Sequence, residues 1–230
     1  WVKDYSRFGN DGTLTNSDSD EWVTDKSLMA PLAFANAGAL EFAGTDDYVL
    51  GTNSIDLDAT SISIAGWINF TDFDSGHENP RMIEVQDADY SVQIIRDNGT
   101  SSFATKHSKW ETSNDGLYWN TPTAGSWYHV AAVWDTANQN TTYYSNGTSQ
   151  SSTSFSNIGK GNQSNKFYLG SRSDLVSSSW LKGLLDDVRI YNRALSSTEV
   201  ESLANGNAYT GSGVYKFGSD LDVNGDMKMY

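Results

Sequence analysis

The chain contains no cysteine, three prolines, three histidines and no apolar run near the roughly 18 residues of a membrane span. Without cysteine there are no disulfides and no thiolate metal sites, although secretion stays open. The histidines, His77, His107 and His129, are accompanied by no Gly-x-Ser-x-Gly elbow and no phosphate-binding loop. Positive charge is also scarce. Fifteen Lys and Arg stand against 29 Asp and Glu, for a net charge of -14. Nucleic acid and anionic membrane are therefore poor partners, since phosphate binding needs clustered Lys and Arg.

What is present reads as one β-domain. The 230 residues are enough for one sizeable core, and an aromatic content of 13% against 37% hydrophobic residues suits a thin sandwich filled by large rings. Ser61 to Phe70 gives the clearest strand pattern. Ile62, Ile64, Ile68 and Phe70 share one face, Ser61, Ser63, Trp67 and Asn69 the other, and Gly66 marks a candidate bulge. Further strands are predicted at 39–43, 47–50, 82–85, 90–96, 127–134, 141–144 and 166–170. The stretch 105–126 reads as irregular, and 149–165 as a Ser/Asn/Gly loop.

The run from Gly183 to Leu195 organises the rest. Alternation puts Leu184, Asp186, Val188 and Ile190 on one face and Leu185, Asp187, Arg189 and Tyr191 on the other. An acid on a core-facing strand position must find a cation or several donors. Ser196-Ser197-Thr198-Glu199 then fits a capping box, Val200 and Leu203 form an apolar stripe, and Gly206 sits where a helix terminator belongs.

That run resembles the closing strand of laminin-G-like jelly rolls, members of the concanavalin A-like lectin/glucanase superfamily. Three more stretches agree in order: Asp4 to Leu14, Ala39 to Val49 and Trp127 to Ala131. The resemblance spans about residues 4–206. It implies an all-β antiparallel sandwich of the concanavalin A-like jelly-roll type, with one short helix near the C-terminal end. Residues 1–206 form this unit, and 207–230 are a tail. Within the tail Val214-Tyr215-Lys216-Phe217 resembles a segment that opens related modules. It either fills a strand position in its own or a neighbouring subunit, or begins a further module. Leu221 to Asp226 is similar to short repeats of phage-type tail fibres. Asp220 to Gly225 also matches half of an EF-hand loop, with a turn between two strands as the competing reading.

The resemblance further implies a structural Ca²⁺ held by Asp4, Asp46, Asp47 and Asp186, with Ala43 standing where the family often has Asp. For glycan binding the candidates are His107, Trp110, Tyr118 and Trp119, aromatic groups in a stretch read as exposed; the alternative is that these rings close one end of the core. The paired-carboxylate strand of the superfamily's glucanases is missing, because Glu84-Val85-Gln86-Asp87 has the wrong spacing. The expected function is thus a non-catalytic extracellular recognition or adhesion module, at a cell or virion surface, that binds glycan or a surface partner. The alternative is a filament or fibre subunit that self-assembles through residues 207–230.

Overall fold

The computed structural model describes residues 12–16, 22–25, 30–32, 38–51, 61–73, 79–86, 90–97, 102–109, 117–154, 166–206, 214–217, 221–222 and 226–227. In chain order the strands begin with β1 (Gly12–Thr15), β2 (Trp22–Val23), β3 (Ala39–Ala43), β4 (Tyr48–Gly51), β5 (Ser61–Phe70) and β6 (Arg81–Gln86). Next come β7 (Tyr90–Asp97), β8 (Ser102–Lys109), β9 (Leu117–Trp119), β10 (Trp127–Asp135), β11 (Asn140–Ser145), β12 (Thr148–Ser154) and β13 (Lys166–Leu169). The chain then gives β14 (Lys182–Tyr191), helix α1 (Ser197–Ala204), β15 (Val214–Phe217), β16 (Leu221–Asp222) and β17 (Asp226–Met227).

Two antiparallel sheets face each other. One runs β1-β4-β13-β6-β7-β8-β9; the other runs β12-β11-β10-β5-β14-β3-β2, with β15 also paired to β14. The main core lies between them. Leu40, Phe42, Ile62, Ile64, Ile68, Phe70, Val130, Trp134, Leu185 and Ile190 from one sheet meet Val49, Ile83, Val85, Ile94, Phe103 and Phe167 from the other. Each large apolar side chain buried here contributes on the order of 1.5–3 kcal/mol relative to exposure. The alternation read in β5 holds through its full length, and Ala65 packs on the opposite side from Ile64.

β14 departs from its predicted alternation. Leu185, Val188 and Ile190 enter the main core, while Leu184 and Tyr191 pack on the other side. The cause is one extra residue. The pairing of β14 with β5 shifts register between Asp186 and Arg189, and Asp187 adopts φ 45°. Such a bulge inverts the parity of everything after it. Gly66, across from the bulge, leaves room for it: a Cβ there would stand 2.7 Å from Met82 Cε and 3.0 Å from Val188 Cα.

Two further expectations change. The stretch read as irregular contains β8 and β9, and part of the predicted Ser/Asn/Gly loop is β12, paired along β11. The consecutive strands predicted at 39–43 and 47–50 belong to opposite sheets as β3 and β4. In the tail, Val214–Phe217 pairs with Val188–Tyr191, so β15 lies in line with β3 along one edge of β14; Leu221 pairs with Met227.

α1 forms as its sequence dictates. Ser196 Oγ accepts from Glu199 N–H, Glu199 Oε2 accepts from Ser196 N–H, and Arg193 clasps the Glu199 carboxylate through two bonds of 3.0 and 2.7 Å. Gly206, at φ 72°, donates to the Leu203 carbonyl and closes the helix. Val200 and Leu203 press onto Ala65, Ala131, Val133, Tyr144 and Tyr191, covering part of the outer side of the eight-stranded sheet.

Candidate functional site

Among the described residues, the acids assigned to calcium are not assembled into one site. Asp4 lies outside the described residues. Asp47 is buried, and its Oδ2 accepts from Ala43 N–H at 2.7 Å, tying the crossing between the sheets. Asp46 is exposed; its Oδ1 takes the Thr45 hydroxyl at 3.0 Å. Asp186 is buried and accepts from Ala30 N–H at 3.3 Å. Ala43 pairs with Lys182, and Asp186 is four residues further along β14, a separation of about 13 Å. Oxygens sharing one calcium ion lie within about 5 Å of each other. Asp47 and Asp186 therefore do not fit as one donor set. Among the described residues no group of three His, Asp or Glu could hold a metal ion.

The proposed glycan residues are divided. Trp110 lies outside the described residues. His107 is on β8 opposite Val92, and Trp119 on β9 opposite Phe103, which is fully buried. Tyr118 pairs with Ala104, one position along.

What the fold does assemble is a row across the outer face of the seven-stranded sheet. Phe167, Leu169, Ile83 and Val85 point into the core, so Tyr168 and Glu84 between them point away from it. Register extends the row as Thr13, Leu50, Tyr168, Glu84, Gln93 and Lys106. Tyr48 stands beside it, its ring 6.3 Å from Tyr168 and 5.9 Å from Trp180. Sequence reasoning weighed Glu84 only as a catalytic acid and passed over Tyr168. The signal was there: each is a lone polar or amphipathic residue between two apolar neighbours, as at Ile83-Glu84-Val85.

A strap between β13 and β14, residues 170–181, meets the middle of this row at Glu84. Ser173 Oγ donates to Glu84 Oε1 at 2.8 Å, Asn79 N–H donates to the Ser178 carbonyl at 3.0 Å, and Leu181 N–H to Gly170 at 2.7 Å. Glu84 Oε2 lies 3.7 Å from Arg81 Nε, an ion pair without a direct hydrogen bond. Burial pushes the Glu84 pKa up, against the opposing pull of Arg81 and of the Ser173 hydrogen bond. Burial likewise raises the Tyr168 phenol, helped by the neighbouring Glu84 and Tyr48.

The outer side of the eight-stranded sheet is different. Beyond the area under α1, Arg189 and Asp187 form a buried ion pair, with a hydrogen bond from Nε to Oδ1 at 2.9 Å and an ion contact from Nη2 to Oδ2 at 2.8 Å. His129 is buried with its ring edge-on to Trp67 at 5.5 Å. Burial first, and Arg189 second, lower its pKa to about 3, so the imidazole is neutral under ordinary conditions.

Two facing antiparallel sheets joined in this order define a jelly-roll β-sandwich. The chain belongs to the concanavalin A-like lectin/glucanases superfamily, whose laminin-G-type family model matches residues 43–201. No curated protein matches it by sequence. Among solved structures it is similar to domain 4 of an extracellular arabinanase from Geobacillus stearothermophilus in complex with arabinotriose (18% identity, TM-score 0.63, 88% of this chain and 97% of that one). It is also similar to a heptameric SAP-like pentraxin from Limulus polyphemus (17%, TM-score 0.53, 76% and 92%). A third likeness is to a putative carbohydrate binding protein from Bacteroides ovatus (14%, TM-score 0.57, 79% of this chain but half of that one). At these identities the likeness is one of fold. Among the described residues no helix is long and apolar enough to cross a membrane.

Proposed function

We propose that this chain is a non-catalytic carbohydrate-recognition module, displayed outside the cell, that reads a glycan across the outer face of its seven-stranded sheet. The observation that carries the reading is the row of this face, in which Tyr168, Glu84 and Trp180 are buried and the half-buried Tyr48 and Leu50 present the apolar surface. Rings offer flat apolar surface for sugar C–H groups, and a carboxylate accepts from sugar hydroxyls. The superfamily and the carbohydrate-related proteins among its structural neighbours support the same class of ligand.

A hydrolytic role draws no support from this face. Retaining glycosidases need two carboxyl groups about 5 Å apart, and inverting ones leave room for a water between them. The alternate residue after Glu84 on β6 is Gln86, not a second acid.

The test is titration of the full chain with a panel of neutral oligosaccharides that includes arabinotriose, together with Tyr48→Ala and Glu84→Gln. Binding by the parent chain, weakened about tenfold or more in either variant, supports the reading. A parent chain that retains no saccharide and forms long assemblies by light scattering would favour the filament-subunit alternative.

A further inference from the structure

The strap over the glycan face carries an anomaly at its tip. Among the described residues, six that are not glycine have positive φ; five are Asn, Gln or Asp, whose short polar or amide side chains tolerate that region. The sixth is Leu175, at φ 56°. It is also 40% exposed, and Val176 beside it is 37% exposed; these two are the exposed large hydrophobic residues among those described. A strained backbone normally persists because packing over-determines it, yet here the strained side chain points out of the protein.

The tip is held rigidly from both sides. Leu175 N–H donates to the Arg172 carbonyl at 3.0 Å, and Arg172 and Asp174 pair across the turn at 3.0 Å. After the tip, Ser179 donates to the Val176 carbonyl through both its N–H, at 3.0 Å, and its hydroxyl, at 2.8 Å. Ser173, two residues before Leu175, is the residue bonded to Glu84. The apolar tip is thereby fixed relative to the carboxylate on the sheet.

We infer that Leu175, with Val176, is a ligand contact of this face: an apolar finger laid against the C–H side of a sugar ring whose hydroxyls are read on the sheet below. This rests on the carbohydrate reading above and adds a specificity residue to it. Sugar rings alternate polar edges with apolar faces, so a surface that recognises them pairs hydrogen-bonding groups with apolar ones. An isolated exposed leucine needs no explanation by itself; one kept in the left-handed region, on a tethered turn, does.

The experiment compares Leu175→Asn, which accepts positive φ but loses the apolar finger, with Leu175→Met, which keeps the finger and the strain. The full chain and both variants are titrated with the oligosaccharide panel that includes arabinotriose and are melted in its absence. The expected result is that Leu175→Asn raises the thermal midpoint by about 2–4 °C, as relief of one strained residue would in a domain of this size, while its affinity falls about tenfold or more. Leu175→Met binds within about twofold of the parent. The contact is overturned if the parent binds and Leu175→Asn binds equally well. It is overturned too if Leu175→Asn lowers the midpoint, since Leu175 would then be a packing residue. A parent that retains no saccharide sinks the function reading and this contact with it.

Discussion

The two sheets of this sandwich treat their outer faces in opposite ways. The eight-stranded sheet covers its own: α1 seals Ala65, Ala131 and Val133, and a buried ion pair with a neutral histidine fills the adjoining area. The seven-stranded sheet carries a polar-aromatic row with one tethered strap meeting it at Glu84. Both faces hold a buried ionisable group, but the groups are handled differently. On the covered face Asp187 meets Arg189 through one hydrogen bond at 2.9 Å and an ion contact at 2.8 Å; on the other, Glu84 stands 3.7 Å from Arg81. The covered face holds its ion pair in direct contact; the other leaves its carboxylate short of its cation.

The largest expected effect breaks the closed face. Asp187→Ala strips Arg189 of its carboxylate partner and keeps a Cβ at φ 45° in the bulge. Removing one partner of a buried pair costs about 3–5 kcal/mol, so the urea midpoint of this variant should fall steeply. A loss under about 1 kcal/mol would mean that the pair is not what holds β14 against β5.

The bulge also marks how far the sequence could be read. The jelly roll followed from the resemblance of four ordered stretches to a known family, and the strands β6, β7, β10 and β11 and the capping box of α1 from periodicity and end signals. Parity in β14 did not. A one-residue insertion leaves no trace in a string of apolar and acidic residues, and Gly66, the partner that makes room for it, is on another strand. The candidate site was less legible still. His107, Tyr118 and Trp119 were grouped because they are close in sequence, but they belong to two strands, β8 and β9. Tyr48, Glu84 and Tyr168 come from three strands whose adjacency only the topology supplies.

The covered face should also respond to acid. His129 is neutral when folded, with a pKa of about 3 against 6.5 in a free chain. The unfolded state therefore binds the proton first, so stability is complete above about pH 6.5 and lost as pH falls toward 3. The loss at pH 5 is about 2 kcal/mol, at 1.36 kcal/mol per unit. His129→Phe keeps a ring against Trp67 and should flatten that limb of a urea stability profile. An unchanged profile would assign the acid sensitivity to other groups. A smaller effect is expected from the cover itself: Ser196→Ala removes the N-cap acceptor of α1 and costs about 1 kcal/mol, seen as a thermal midpoint lower by about 2–4 °C.

The smallest effect has the opposite sign and belongs to the other face. Burial raises the Glu84 pKa, so the folded state holds its proton to higher pH than the unfolded chain does. Its contribution is complete below the ordinary carboxylate range and is lost as pH climbs through the raised value. One titrating group limits this slope to about 1.4 kcal/mol per pH unit, and Arg81 and Ser173 hold the shift down. Glu84→Gln retains an acceptor for Ser173 and cannot ionise. Its stability should therefore rise relative to the parent as pH increases from 5 to 8, while His129→Phe gains on the parent as pH decreases. If both variants gain in the same direction, the two faces are not electrostatically distinct. Opposite gains would make the neutral histidine a feature of the closed face and the reluctant carboxylate a feature of the face proposed to receive the sugar.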